Sequence, residues 1–165
     1  MDITFSTASE ADVPTLVALE TSVAEDLTAR YGRGGWSSVP TERGVFLSLR
    51  YALVLIALDG NSIVGKLRLQ TKKPWAIDRA YFTPVKKELF LTGMAVMPAW
   101  QRKGLGRLLI GEATKRARAW PADSICLDAF DAKAGAGAFY AKCGFTERGR
   151  VTYRKAPLIY FEMLL

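Results

Sequence analysis

Histidine is absent from all 165 residues, and that absence removes more chemistry than any other feature of the composition. Ser–His and Cys–His nucleophile systems need an imidazole base, and a Cys₂His₂ zinc site needs imidazole ligands. The two cysteines, Cys126 and Cys143, cannot assemble a Cys₄ set either, so no metal site is expected. Acid–base work falls to carboxylates, tyrosine, lysine, cysteine or water. Two cysteines are also too few for a disulfide scaffold, which points to a reduced, cytoplasmic protein. No apolar run approaches the roughly 18 residues of a membrane span. The opening MDITFSTASEADVP carries acidic rather than basic residues before any apolar stretch, so neither a membrane partner nor a signal peptide is expected. Internal repeats and low-complexity tracts are missing as well.

The formal charge of +7 lacks the pattern that nucleic-acid binding requires. Basic residues are scattered, with pairs only at Lys72-Lys73, Lys86-Lys87 and Arg102-Lys103, and there is no long basic tract or aromatic-interleaved run. A basic nucleic-acid-binding module is the weaker alternative, and no nucleic-acid partner is expected. Positive potential has another use, since it steers polyanionic ligands inward.

What is present is a globular composition, 50% apolar and 11% aromatic, in a length that suits one domain spanning 1–165. Ile3 to Phe5 reads as a short strand. Ser9, Glu10 and Asp12 signal a helix start with Pro14 in its first turn, and the segment YGRGGWSS, 31–38, breaks that helix. A second helix is expected over 41–50. Strands at 53–58 and 63–70 flank Asp59-Gly60-Asn61 as a hairpin. Residues 71–87 lose any period and read as a loop with room for a short helical turn. A strand over 88–96, a helix from about 104 to 120 stopped by Pro121, a strand over 124–130, a helix over 133–143, and strands near 146–154 and 158–164 complete the pattern.

The chemistry concentrates where the strand ending at Val96 runs through a Pro break into QRKGLG, 101–106, and a helix. First-turn amide N–H groups have no intrahelical partners and the helix dipole is positive there, so an anion is stabilised. Gly104 and Gly106 allow close approach, and Arg102, Lys103 and Arg107 add charge. The spacing fits neither GxxxxGK followed by Ser or Thr nor GxGxxG with a later acid. Some thirty residues downstream, SICLDAF, 124–130, leads to a small-residue segment, AKAGAGA, and then to FYAKCGF, 139–145. The glycines of AKAGAGA cost about 1 kcal/mol each in a helix, so tertiary contact or a bound cofactor must hold it.

Gln101, Gly104 and Gly106 match the Q/R-x-x-G-x-G/A signature of the GNAT superfamily of N-acyltransferases. Phe139, Tyr140, Lys142, Gly144 and Phe145 match the F/L-Y-x-K-x-G-F segment that closes its next strand and helix. The resemblance covers most of the chain. It implies an α/β fold of the α+β type, with a central, mixed, mostly antiparallel sheet flanked by helices and two parallel strands that splay at the cofactor site. It further implies transfer of an acetyl group from acetyl-CoA (coenzyme A) to a primary amine of a small molecule or peptide, by direct attack in a ternary complex.

On this resemblance Met94, Ala95 and Val96 bond pantetheine through their backbone, a bulge there aims an N–H at the acetyl oxygen, and the stretch Gln101, Arg102, Lys103, Gly104, Leu105, Gly106 and Arg107 cradles the pyrophosphate. Tyr140 stands where many members place a general acid; its other reading is a core tyrosine anchoring helix to sheet. Glu88, at the head of the motif strand, is the favoured base, with Asp128 and Asp78 as the other carboxylates open to that role. Lys133 replaces an asparagine that contacts cofactor in many members, and Asp131 is placed to cap the following helix. The acceptor is expected against Trp36, Trp75, Asp78, Tyr81 and Asp128, where aromatics and a carboxylate suit an ammonium. Dimerisation, common among members, would use the C-terminal strands or apolar faces. A catalytically inactive acyl-CoA-binding protein and a transferase of a longer acyl group are the remaining alternatives.

Overall fold

A computed structural model describes residues 1–165. Seven strands form one sheet: β1 (Ile3–Thr7), β2 (Ala52–Asp59), β3 (Ser62–Gln70), β4 (Glu88–Val96), β5 (Ser124–Phe130), β6 (Thr146–Tyr153) and β7 (Ala156–Leu164). Four helices accompany it: α1 (Val13–Tyr31), α2 (Glu42–Tyr51), α3 (Leu105–Ala119) and α4 (Gly137–Lys142). The strand order is β1-β2-β3-β4-β5-β7-β6. Every neighbouring pair is antiparallel except β4 and β5.

Local chemistry accounts for most element ends. Thr41 caps α2 by accepting from the Gly44 N–H at 3.0 Å. The chain leaves α1 at Gly32, whose φ of 80° with ψ of 180° is an extended, positive-φ conformation that glycine adopts without a Cβ penalty. The α1 helix continues well past Val23 because Leu16, Leu19 and Ala24 are buried along it.

Strand alternation then sorts the core into two faces. On one face α3 lays Leu105, Leu109, Ile110, Ala113 and Ala117 over Leu55, Leu67, Ile125 and Leu127. On the other, α1 and α2 cover Val54, Ile56 and Ile63. Farther along that second face, Ile77 and Phe82 of the 71–87 segment close over Phe90, Cys126 and Tyr160. This segment carries one 3-10 turn at Arg79–Tyr81, in keeping with a loop that has little period.

The largest departure from the expected elements is α4. A helix over 133–143 was anticipated, yet only Gly137–Lys142 is helical. The Gly135 N–H donates to the Ala132 carbonyl at 2.9 Å, so the backbone turns before the helix begins. It also folds back so tightly that a Cβ on Gly135 would lie 1.8 Å from the Phe130 carbonyl oxygen. Asp131 does not cap α4, whose N-cap is Ala136; it pairs instead with Arg150 of β6 at 3.4 Å.

Gly135→Ala is therefore expected to destabilise by about 2 kcal/mol through overpacking against backbone, lowering Tm by about 5 °C. Thermal unfolding followed by circular dichroism checks this, with Gly111→Ala as the control, since a Cβ there meets nothing within 4 Å.

Candidate functional site

The parallel strands β4 and β5 pair only at Glu88↔Ser124, Leu89↔Ile125 and Phe90↔Cys126, and then part. Opposite the opening, Lys66 pairs with Ala95 and Arg68 with Thr92, so Gly93 and Met94 of β4 face the single residue Leu67 of β3. That is a β-bulge, and Gly93 sits in it with φ 56°. From Leu91 to Val96 the β5-facing edge of β4 has no strand partner, which leaves backbone polar groups short of the Val96 carbonyl open to an extended ligand.

A cleft of about 350 Å³ occupies the gap. Its β4 wall runs from Leu91 to Ala95 and its β5 wall from Asp128 to Phe130. Residues from both faces of the sheet line it. On the α3/α4 face it is lined by Ala134, Gly135, Ala136 and Tyr140, and on the α1 face by Glu20, Val23, Ala24, Leu27, Trp36 and Ser38.

Asp128 and Tyr140 approach this gap from opposite faces of the sheet. Asp128 lies in register with Tyr160 and shares the face of Cys126. Burial alone raises its carboxyl above the ordinary range. Tyr140 is buried among Phe139, Phe145 and Phe161. Its hydroxyl donates to the Met94 sulfur at 3.6 Å, which puts the O–H at the bulged part of β4. Burial, then the charges of Asp128 and Cys143, push its pKa upward, so the phenol stays protonated at any physiological pH.

Beyond Val96, Gln101 spends its side chain on structure: Nε2 donates to the Val96 carbonyl at 3.0 Å, while Arg30 donates to Oε1 at 3.3 Å. Arg102 and Gly104 adopt left-handed conformations, φ 61° and 87°. The turn they make ends at the α3 N-terminus, for which Gly104 is the N-cap. A Cβ on Gly104 would meet nothing within 4 Å, so the space over the first amides is open. Gly106 serves a different purpose from the one its motif position suggests, because a Cβ there would meet the Phe139 ring at 3.0 Å. It lets α3 and α4 approach. Leu105 offers its backbone while its side chain fills the core; Arg102, Lys103 and Arg107 are exposed around the turn.

Several residues singled out on sequence lie elsewhere. Glu88 heads β4 at its paired end, six residues before Met94, or about 20 Å of extended strand, and is bound by Arg79. It is absent from the cleft. Trp75, Asp78 and Tyr81 line a separate depression with Tyr153 and Tyr160. There Asp78 accepts from the Ala80 N–H at 3.0 Å and Tyr81 packs edge-on against Tyr160. Lys133 is exposed and outside the cleft. Trp36 and Asp128 are the acceptor candidates that the fold brings together.

Glu20 is a cleft residue that sequence reading missed. It pairs with Lys66, which is only 2% exposed in the middle of β3. A lysine within the apolar strand SIVGKLRLQ was the available signal, since a buried ammonium demands a partner. Burial pulls the Lys66 pKa down and the Glu20 carboxylate opposes it.

The model of the Acetyltransferase (GNAT) family matches residues 21–145, which contain the splay, the bulge, the glycine turn and α4. The chain belongs to the GNAT family. Among solved members, the ribosomal-protein-S18-alanine N-acetyltransferase of Escherichia coli superposes with a TM-score of 0.75 at 18% identity, covering 99% of this chain and 94% of that one. A PaiA N-acetyltransferase of Thermoplasma acidophilum, in complex with coenzyme A, gives 0.73 at 16%, covering 97% and 98%. These likenesses show the fold. A curated relative, the aminoglycoside N(6')-acetyltransferase type 1 of Stenotrophomonas maltophilia, is 38% identical over 73 residues; the match spans 42% of this chain and 45% of that relative. Within this GNAT chain no three His, Cys, Asp or Glu side chains converge on a point that could hold a metal ion.

The raised carboxyl of Asp128 has a consequence for stability. A native pKa above the unfolded value contributes stability below the unfolded pKa of about 3.9, and that contribution is lost as pH rises through the native value. Asp128→Asn is thus expected to raise Tm at pH 7, with the gain shrinking as pH falls toward 4. Melting curves across that interval measure it.

Proposed function

We propose that this chain transfers an acetyl group from acetyl-CoA to a primary amine, with both substrates bound together. The single observation that carries the reading is the meeting of Asp128 and Tyr140 from opposite faces in the gap beside an unpaired strand edge. The residues present suit the donor: an open, left-handed glycine turn at a helix N-terminus for a pyrophosphate, and a free β4 edge for an extended amide chain.

When bound, acetyl-CoA supplies an acetyl thioester, and the reaction exchanges its C–S bond for a C–N bond to the amine. Asp128 takes a proton from the ammonium, directly or through water, because only a neutral amine has a lone pair to attack with. The backbone N–H groups of the Gly93–Ala95 bulge hold the carbonyl oxygen as negative charge develops on it. Tyr140 gives its proton to the departing thiolate and regains one from the proton that the attacking nitrogen sheds as the amide forms, and the upward shift of its pKa keeps its proton in place until then. The exposed cations Arg102, Lys103 and Arg107 meet the diphosphate. The two free cysteines fit residence in a reducing cytoplasm.

Acetyl-CoA is expected to stabilise the protein by about 2.7 kcal/mol at a hundredfold excess over Kd, whereas ATP and NAD leave Tm unchanged. Protection by ATP or NAD alone would remove the donor assignment. Tyr140→Phe should lower kcat about a hundredfold with acetyl-CoA binding retained. Asp128→Asn should abolish the acidic limb of the pH–rate profile, which in the native enzyme lies above the ordinary carboxylate range; an acidic limb that survives excludes Asp128 as base.

A further inference from the structure

The α1 side of the cleft states what kind of amine it is built for. Glu20, Val23, Ala24 and Leu27 project from one stripe of α1 at helical spacing. Facing them, Trp36 stands edge-on to Phe130 with ring centroids 5.6 Å apart. The loop between α1 and α2 is shaped around these two rings. A Cβ on Gly35 would lie 2.6 Å from the Phe130 ring, and one on Gly34 would lie 2.5 Å from Trp36. The Trp36 indole N–H is already committed to the Gly32 carbonyl at 2.9 Å, so the ring presents its carbon surface. The glycines of YGRGGWSS let the loop lie close enough to complete an aromatic wall.

The charges are equally specific. Two carboxylates line the cleft and no lysine or arginine does. Glu20, however, is matched by the buried Lys66 ammonium, which leaves Asp128 as the one uncompensated carboxylate. A single cationic centre can be received there. A second ammonium on the acceptor would have no partner on the apolar wall and would meet a chain carrying a net charge of +7.

From this we propose that the acceptor is a small primary monoamine with an apolar, aryl or alkyl body, rather than a polycation. The inference rests on the acetyl-transfer reading and narrows its second substrate. The ammonium end sits toward Asp128 and the apolar body lies between Trp36, Phe130 and the Val23–Leu27 stripe.

The test compares acetyl-CoA-dependent acetylation of 2-phenylethylamine, hexylamine, spermidine and kanamycin, with thiol release and acetylated product both measured. The expected result is a kcat/KM for the two monoamines at least tenfold above the two polycations. Trp36→Ala should raise KM for 2-phenylethylamine about tenfold, a larger effect than on kcat, and Trp36→Phe should restore most of the loss. The Tm rise with acetyl-CoA reports that each variant is folded. Monoamines that are not acetylated, or are acetylated no faster than kanamycin or spermidine, overturn the inference while acetyl-CoA protection leaves the donor assignment standing. Loss of acetyl-CoA protection in the native protein defeats the acetyl-transfer reading itself.

Discussion

Two parallel strands that pair for three residues and then separate impose the arrangement of everything else in this molecule. Neither side of the separation can collapse. On the β3 side, the bulge at Gly93 and Met94 turns β4 away, and the space that a Gly93 side chain would need is filled by the Arg68 guanidinium, 2.6 Å from the missing Cβ. On the other side, β5 is held over its whole length by β7, from Ser124↔Leu164 to Phe130↔Leu158. An open edge inside a sheet costs unpaired backbone groups, and a fold retains one only where something else pairs with them. The gap also perforates the sheet, so a carboxylate on one face and a phenol on the other can serve the same reacting atoms.

Charge follows this geometry. The cations that could meet a polyanion are exposed around the Arg102–Arg107 turn, outside the gap, where water pays little penalty for their company. The carboxylates that line the gap are Asp128, kept in an environment that raises its carboxyl, and Glu20, already held by Lys66. In the proposed reaction, outer steering by positive charge and inner selection by a negative charge are separate devices that act on different substrates.

The sequence made the donor side legible because it depends on local geometry. A glycine in the left-handed region before a helix, and a tyrosine fixed by its neighbours in FYAKCGF, are constraints among residues close in the chain. The hairpin through Asp59-Gly60-Asn61 was legible for the same reason. Sequence could not separate Glu88 from Asp128, of which only Asp128 lines the cleft, because strand periodicity reports which face a residue occupies and says nothing of where along β4 the partner strand departs. In SICLDAF, one acid within an otherwise apolar strand was the signal that sets Asp128 apart. The truncation of α4 came from a backbone approach, Gly135 to Phe130, that no helix propensity encodes. Trp75 and Tyr81 looked equivalent to Trp36 as exposed aromatics, and only the fold separates them, one pair in a distant depression and the other ring in the cleft.

The central claim is that the free edge of β4 is completed by the acetyl donor, as an additional strand would complete it. Amide hydrogen exchange, measured with and without saturating acetyl-CoA, addresses it at the level of individual peptide groups. The account predicts new protection confined to amides within Leu91–Val96 and to the first turn of α3 after Gly104, with the paired segment Glu88–Phe90 unchanged. Protection that leaves the Leu91–Val96 amides exchanging freely, while acetyl-CoA is demonstrably bound, would contradict it.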